Sequence, residues 1–156
     1  MNARINLGLY CGAALLLAAC NLIPGQAPPP APVTTPDATS TATTLDDYKR
    51  GLAQRIVAVN STEVYVGRPQ ALLRAVIVVK YYVNADGQLL RAEILRSNKD
   101  RKAEASALAA VRRAAPFPKP DGKFLRRGEV EIAESWLFND DGRFQLRSVA
   151  EQQMDQ

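Results

Sequence analysis

Carboxylates are the first residues in this chain that could do chemistry. Glu129, Glu131 and Glu134 sit close together, and Asp140 and Asp141 follow shortly after. Paired carboxylates can act as acid and base, or can hold a cation. Here the glutamates alternate along one extended segment, and nothing in their spacing pairs them across a substrate. Asp140 and Asp141 precede Gly142 in a turn without the ligand spacing of a calcium loop, so they read as an acidic turn. The sequence contains no histidine, which removes histidine bases, histidine triads and histidine metal ligands. There is no glycine-rich phosphate loop, and no motif supports a Ser–Lys pair. The chain therefore reads as a non-enzyme, with no metal and no cofactor.

Cysteine carries the one specific chemical signal. Of the two cysteines, Cys20 closes the stretch "LLLAAC". The apolar run from Ile5 to Ala19 follows Arg4 and is shorter than the roughly 20 residues a spanning helix needs. A basic start, a short apolar middle and small residues at the end form the layout of a secretory signal. Leu17-Ala18-Ala19-Cys20 also resembles a bacterial lipobox. That resemblance implies cleavage after residue 19, with lipid on the Cys20 sulfur and on its new amine; two lipid signals suffice for stable anchoring. The alternative is an ordinary cleaved signal with an incidental cysteine. Cys11 would leave with the signal, so no intramolecular disulfide could form and the core alone must hold the fold. Asn21, where an aspartate often marks inner-membrane retention, favours the outer membrane over the inner, with the chain facing the periplasm.

Residues 20–44 follow as a linker. "PGQAPPPAPVTTPDATSTATT" has little apolar bulk and one charge, Asp37, so it cannot offset its own ordering entropy. As polyproline II, at about 3.1 Å per residue, it would reach roughly 60 Å. Residues 45–150 are left as one small domain, and 151–156 as a frayed tail. Loss of Arg4 lowers the formal charge from +4 to +3. The adjacent pairs Arg112-Arg113 and Arg126-Arg127 suit acidic lipid, glycan or protein surfaces in an exported chain, or are simply solvated charge.

Periodicity supplies the elements that would position these groups. Thr44 and Asp47 have capping-box spacing, and Tyr48, Leu52, Ile56 and Val59 recur at helical spacing, predicting a helix over Leu45–Val59. β-Branched and aromatic residues from Ala75 to Val83, the turn Asn84-Ala85-Asp86-Gly87, and Leu89 to Arg96 predict a hairpin. Asp100 can cap a second helix, in which Leu108, Val111 and Ala115 share a face flanked by Ala107 and Ala114. Pro116 ends it. Gly128 to Phe138 predicts a third strand whose inward parity includes Glu134, which requires a bulge near Ala133 or a place at the rim. After Asn139-Asp140-Asp141-Gly142, Arg143 to Val149 predicts a fourth strand. The two turns, "YYVNADGQL" and "WLFNDDGRF", echo each other. The order α-β-β-α-β-β gives an α+β fold: a small antiparallel sheet of three to four strands with one or two helices on one face.

From Val76 to Val149 the chain resembles the C-terminal domain shared by TonB and TolA. "VIVVKYYVNADGQLLRAEILRS" is similar to the family's first hairpin, "ALAAVRRAAPFPKP" to its helix and Pro-rich exit, and "GEVEIAESWLFNDDGRF" to its closing strand. The helix at Leu45–Val59 is more TolA-like. The resemblance implies a partly open edge at the last strand, able to accept a partner strand. Carried over, that edge is Phe144, Gln145, Leu146, Arg147, Ser148 and Val149; alternatively, the strand merely completes the sheet. It further implies a periplasmic protein partner, such as a receptor plug or a Tol-system component, with no nucleic acid. TonB and TolA, however, begin with an uncleaved membrane helix and carry longer linkers, so the fold does not imply energy transduction. Two functions follow: a tethered protein–protein adaptor in envelope transport or integrity, or a structural tether holding peptidoglycan or acidic lipid through Arg112, Arg113, Arg126 and Arg127.

Overall fold

A computed structural model describes residues 38–151. Cys20, the signal segment, most of the expected linker and the tail beyond Glu151 lie outside them. The first helix, α1 (Leu45–Val59), starts where Thr44 Oγ accepts the Asp47 N–H at 3.1 Å. It buries Tyr48, Leu52, Ala53 and Ile56. Val59 lies outside this stripe and stays exposed. The second helix, α2 (Arg101–Ala114), starts where Asp100 accepts the Ala103 N–H. Its inward stripe is Ala103, Ala107, Ala110, Val111 and Ala114. Small side chains let this helix lie close on the sheet, and Leu108 sits at the margin of the stripe. Ala115, before Pro116, leaves the helix in extended backbone.

Four strands, β1 (Ala75–Asn84), β2 (Leu89–Arg96), β3 (Glu129–Phe138) and β4 (Phe144–Leu146), form one antiparallel sheet in the order β2-β1-β3-β4. Both helices pack on the same face. Between them and the sheet lie Trp136, Tyr48, Tyr81, Phe117, Phe138 and Phe144. The α+β architecture and the element order expected from the sequence are those observed.

The exit loop after α2 fastens the layers together. Tyr48 Oη donates to the Pro118 carbonyl at 2.8 Å, and Tyr81 stacks on Phe117 with ring centres 5.7 Å apart. The Phe117 N–H donates to the Gly87 carbonyl at 2.7 Å. The chain is bound to this loop before α1 begins: Ser40 N–H donates to Lys119 C=O and Lys119 N–H to Ala38 C=O.

Two strand expectations need correction. β3 pairs with β1 in continuous register, with no bulge at Ala133. Glu134 is neither bulged out nor at a rim; it is 2% exposed and points inward. The reason lies in β4. Arg147 N–H still donates to Ser135 C=O at 3.0 Å, but the chain then turns, with the N–H groups of Val149 and Ala150 both donating to Leu146 C=O. The Ser135 N–H goes instead to Glu134 Oε1, at 2.7 Å. Glu134 thus satisfies a backbone donor on the strand that β4 leaves early. For the same reason β4 ends at Leu146 rather than continuing to Val149.

Candidate functional site

The residues expected to form a partner-binding edge are divided by this turn. Phe144, Gln145 and Leu146 form β4 and are buried, whereas Arg147 is exposed and Ser148 and Val149 are half-buried. The outer side of β4 already has a neighbour. Val64 forms a parallel bridge with Phe144, Tyr65 N–H donates to Phe144 C=O at 3.2 Å, and Tyr65 is itself buried. Gln145 Nε2 reaches across to the carbonyls of Tyr65, at 3.0 Å, and Gly67, at 2.5 Å. A strap from Val64 to Gly67 therefore occupies part of the edge, while Val66 within it projects outward, 98% exposed.

β2 forms the opposite edge, and among the described residues nothing pairs with its outer side. Its register with β1 slips twice, between Val78 and Val79 and between Tyr82 and Val83. The residues left over are Leu95 and Leu90, which are 55% and 48% exposed. Two bulges kink this edge and make it a poor template for a further strand. The alternation of "LLRAEILR" gave no warning of either.

Between the two edges lies the sheet's solvent side, which the register arranges in rows across the strands. Near the first turn, Tyr82 faces Arg91 and Glu131, and Lys80 faces Glu93 and Ala133. The Arg91 guanidinium lies 3.4 Å above the Tyr82 ring centre and forks onto Glu129 at 2.8 and 2.9 Å. That fork raises the Arg91 pKa and lowers that of Glu129. Lys80 pairs with Glu93 at 3.4 Å, and its ammonium is held protonated above the usual lysine range, first by Tyr82 and then by the charge of Glu131. The charges here neutralise one another.

The Arg pairs singled out from sequence sit on different elements. Arg113 is committed: it donates to Asn60 Oδ1 at 2.7 Å and pairs with Glu63 at 2.6 Å, tying α2 to the turn after α1. Arg112 beside it is exposed. Arg126 donates to carbonyls of its own loop, and Arg127 adopts a φ of 55°. Both line a shallow groove of about 530 Å³ with Tyr82, Phe124 and Glu131. Sequence reasoning passed over Arg96, which the register places on the solvent side opposite Val78. The strand parity of "VIVVKYYV" against "LLRAEILR" could have found it, had the bulge at Leu95 been visible.

Two helices cover one face of the small sheet, and among the described residues no element covers the other face. The family described as TonB C terminal matches residues 46–132, more than half of the chain. The chain belongs to that family, whose domains are non-catalytic protein-interaction modules of the cell envelope. The match stops within β3, so Glu134, β4 and Arg147 lie beyond it. No curated protein and no solved structure matches the chain.

Proposed function

We propose that this protein is a lipid-anchored periplasmic adaptor, held at the outer membrane through Cys20, that binds a receptor plug or a Tol-system component in envelope transport or integrity. The observation that carries this reading is the family match over α1 to β3, joined to a lipobox-like "LAAC" ahead of the domain. The lipid supplies location and the domain supplies recognition. Because β4 is short and its outer side meets the strap, a partner strand would pair there only by displacing Val64–Gly67 or by extending beyond it.

The test is in-cell photo-crosslinking from Val66 and Ser148, beside β4, with the exposed Gln54 on α1 as control. Palmitate labelling of the wild type and of Cys20→Ser runs in parallel. A receptor or Tol protein trapped from Val66 or Ser148 but not from Gln54, with label lost in Cys20→Ser, is the expected result. Cross-links confined to lipid and cell wall would replace the adaptor with the structural tether. Label retained in Cys20→Ser would remove the anchor.

A further inference from the structure

The far half of the sheet's solvent side is built differently from the neutralised half. Its first row runs from Arg96 on β2 through Val78 and Ser135 to Arg147, which the bond from its N–H to Ser135 C=O brings to the end of the row. Three strand spacings, about 14 Å in all, separate the two arginines along the sheet. The next row pairs Val76, 41% exposed, with Leu137. Leu73 adjoins both rows. Two continuous grooves, of about 560 and 500 Å³, share Leu73, Val76 and Arg147. Neither Arg96 nor Arg147 forms an ion pair among the described residues, whereas Lys80 and Arg91 one or two rows away both do.

We propose that this half of the sheet is a docking groove for an acidic, apolar-centred segment of a partner protein. Its carboxylates would pair with Arg96 and Arg147, and its apolar side chains would cover Val76, Val78 and Leu137. The inference rests on the reading of the chain as a protein-binding module and names the surface and the chemistry of that partner.

Charge decides among the possible occupants. A second copy packed isologously would bring arginines against arginines on a chain whose net charge is already +4. The chain's own residues 24–44 carry one acid, Asp37, and cannot answer two cations, and Glu151, which lines the same groove as Arg147, is paired with Arg68 at 3.9 Å. The gap between the arginines accommodates a helix, about 10 Å across with side chains, or an extended strand. Arg147 and Leu73 wall the apolar floor, so a segment fits it better than a flat bilayer does. Burying apolar floor and segment together supplies the driving force, and the flanking carboxylates set register and orientation.

The test begins with a displayed library of random 12-residue peptides, selected against the full chain. Selected peptides are then resynthesised and their affinities measured by fluorescence anisotropy. A consensus of apolar residues flanked by Asp or Glu is expected. Binding should weaken at least tenfold in Arg96→Glu/Arg147→Glu and less than twofold in Lys80→Glu, which makes a similar charge reversal in the neutralised half. Val76→Lys, probing the floor instead of the rim, should also weaken it. Unchanged melting temperatures would show that the variants fold.

Absence of an acidic consensus, or equal losses in Lys80→Glu, would overturn the proposal. So would Arg96- and Arg147-dependent binding to phosphatidylcholine–phosphatidylglycerol vesicles that is tighter than to any selected peptide. A dimer in sedimentation that is abolished by the double reversal would assign the face to a second copy instead. A partner trapped at Val66 without an acidic consensus would leave the adaptor standing and remove only the groove. The reverse pair of results would keep the groove and remove the Tol or receptor partner.

Discussion

At one edge of the sheet, β2 runs for eight residues with nothing paired to its outer side among the described residues. At the other, β4 runs for three, is buried, and has a strap bonded against it. Both edges could invite uncontrolled pairing with another chain. β2 answers with geometry: two extra residues kink it, and Leu90 and Leu95 are pushed out of the ladder. β4 answers with a substitute: Val64–Gly67 takes the place of a neighbouring strand. A kinked edge cannot be switched, because the bulges are part of the backbone. The strap at β4 is held by the Tyr65 N–H and two Gln145 bonds, which a partner strand would have to replace. That difference is why a strand-pairing partner belongs at β4 in the adaptor reading.

The hairpins behind these edges sharpen the contrast. Asn84 and Asn139 each open a turn closed by a glycine N–H, at 3.0 Å in both, and Gly87 and Gly142 have φ of +81° and +84°. The first turn lies against the exit loop: a Cβ on Gly87 would stand 2.1 Å from the Phe117 carbonyl oxygen. At Gly142 the nearest atom would be Arg74 Nη1, at 3.9 Å.

The largest effect should come from Gly87→Ala, which adds left-handed strain to a backbone clash. A loss of about 3 kcal/mol or more is expected by urea denaturation. Glu134→Leu should cost about 2 kcal/mol by leaving the half-buried Ser135 N–H without an acceptor. Glu134→Gln, which keeps an oxygen there, should cost clearly less, and equal losses would show that Glu134 does not support the edge where β4 departs. Gln145→Ala should cost about 1.5 kcal/mol. It should also speed hydrogen exchange at Tyr65 N–H while leaving β2 unchanged, and equal acceleration at both edges would show that the strap does not protect β4 separately. Gly142→Ala meets strain without a clash, so about 1 kcal/mol is expected. Smallest of all, Leu90→Lys and Leu95→Lys should each change stability by no more than about 0.5 kcal/mol. A larger loss would mean that the bulge residues pack.

Much of the fold was legible because it rests on local rules. Thr44 and Asp100 announced both helix starts, alternation bounded β1 and β2, and Asn-Gly spacing placed both turns. The α2 stripe runs through Ala103, Ala107, Ala110 and Ala114 rather than Leu108, since an Ala-rich helix offers several nearly equivalent apolar faces. Strand parity marks the inward Glu134 as an anomaly but not its resolution, because its partner is a backbone N–H freed by a strand that turns away.

The site was less legible than the fold. The sequence by itself determined a helix-capped α+β domain with paired hairpins, no histidine chemistry, and a cysteine motif suited to lipid. The tertiary structure alone decided which arginines are free and which are committed. Arg113 is drawn off by Asn60 and Glu63 across 50 or more positions of chain. Arg96 on β2 and Arg147, just past the end of β4, fall in one row through the pairing of four strands. Local propensity acts over a few residues, whereas charge neutralisation and cross-strand rows depend on contacts between distant ones, which come into being only when the sheet closes.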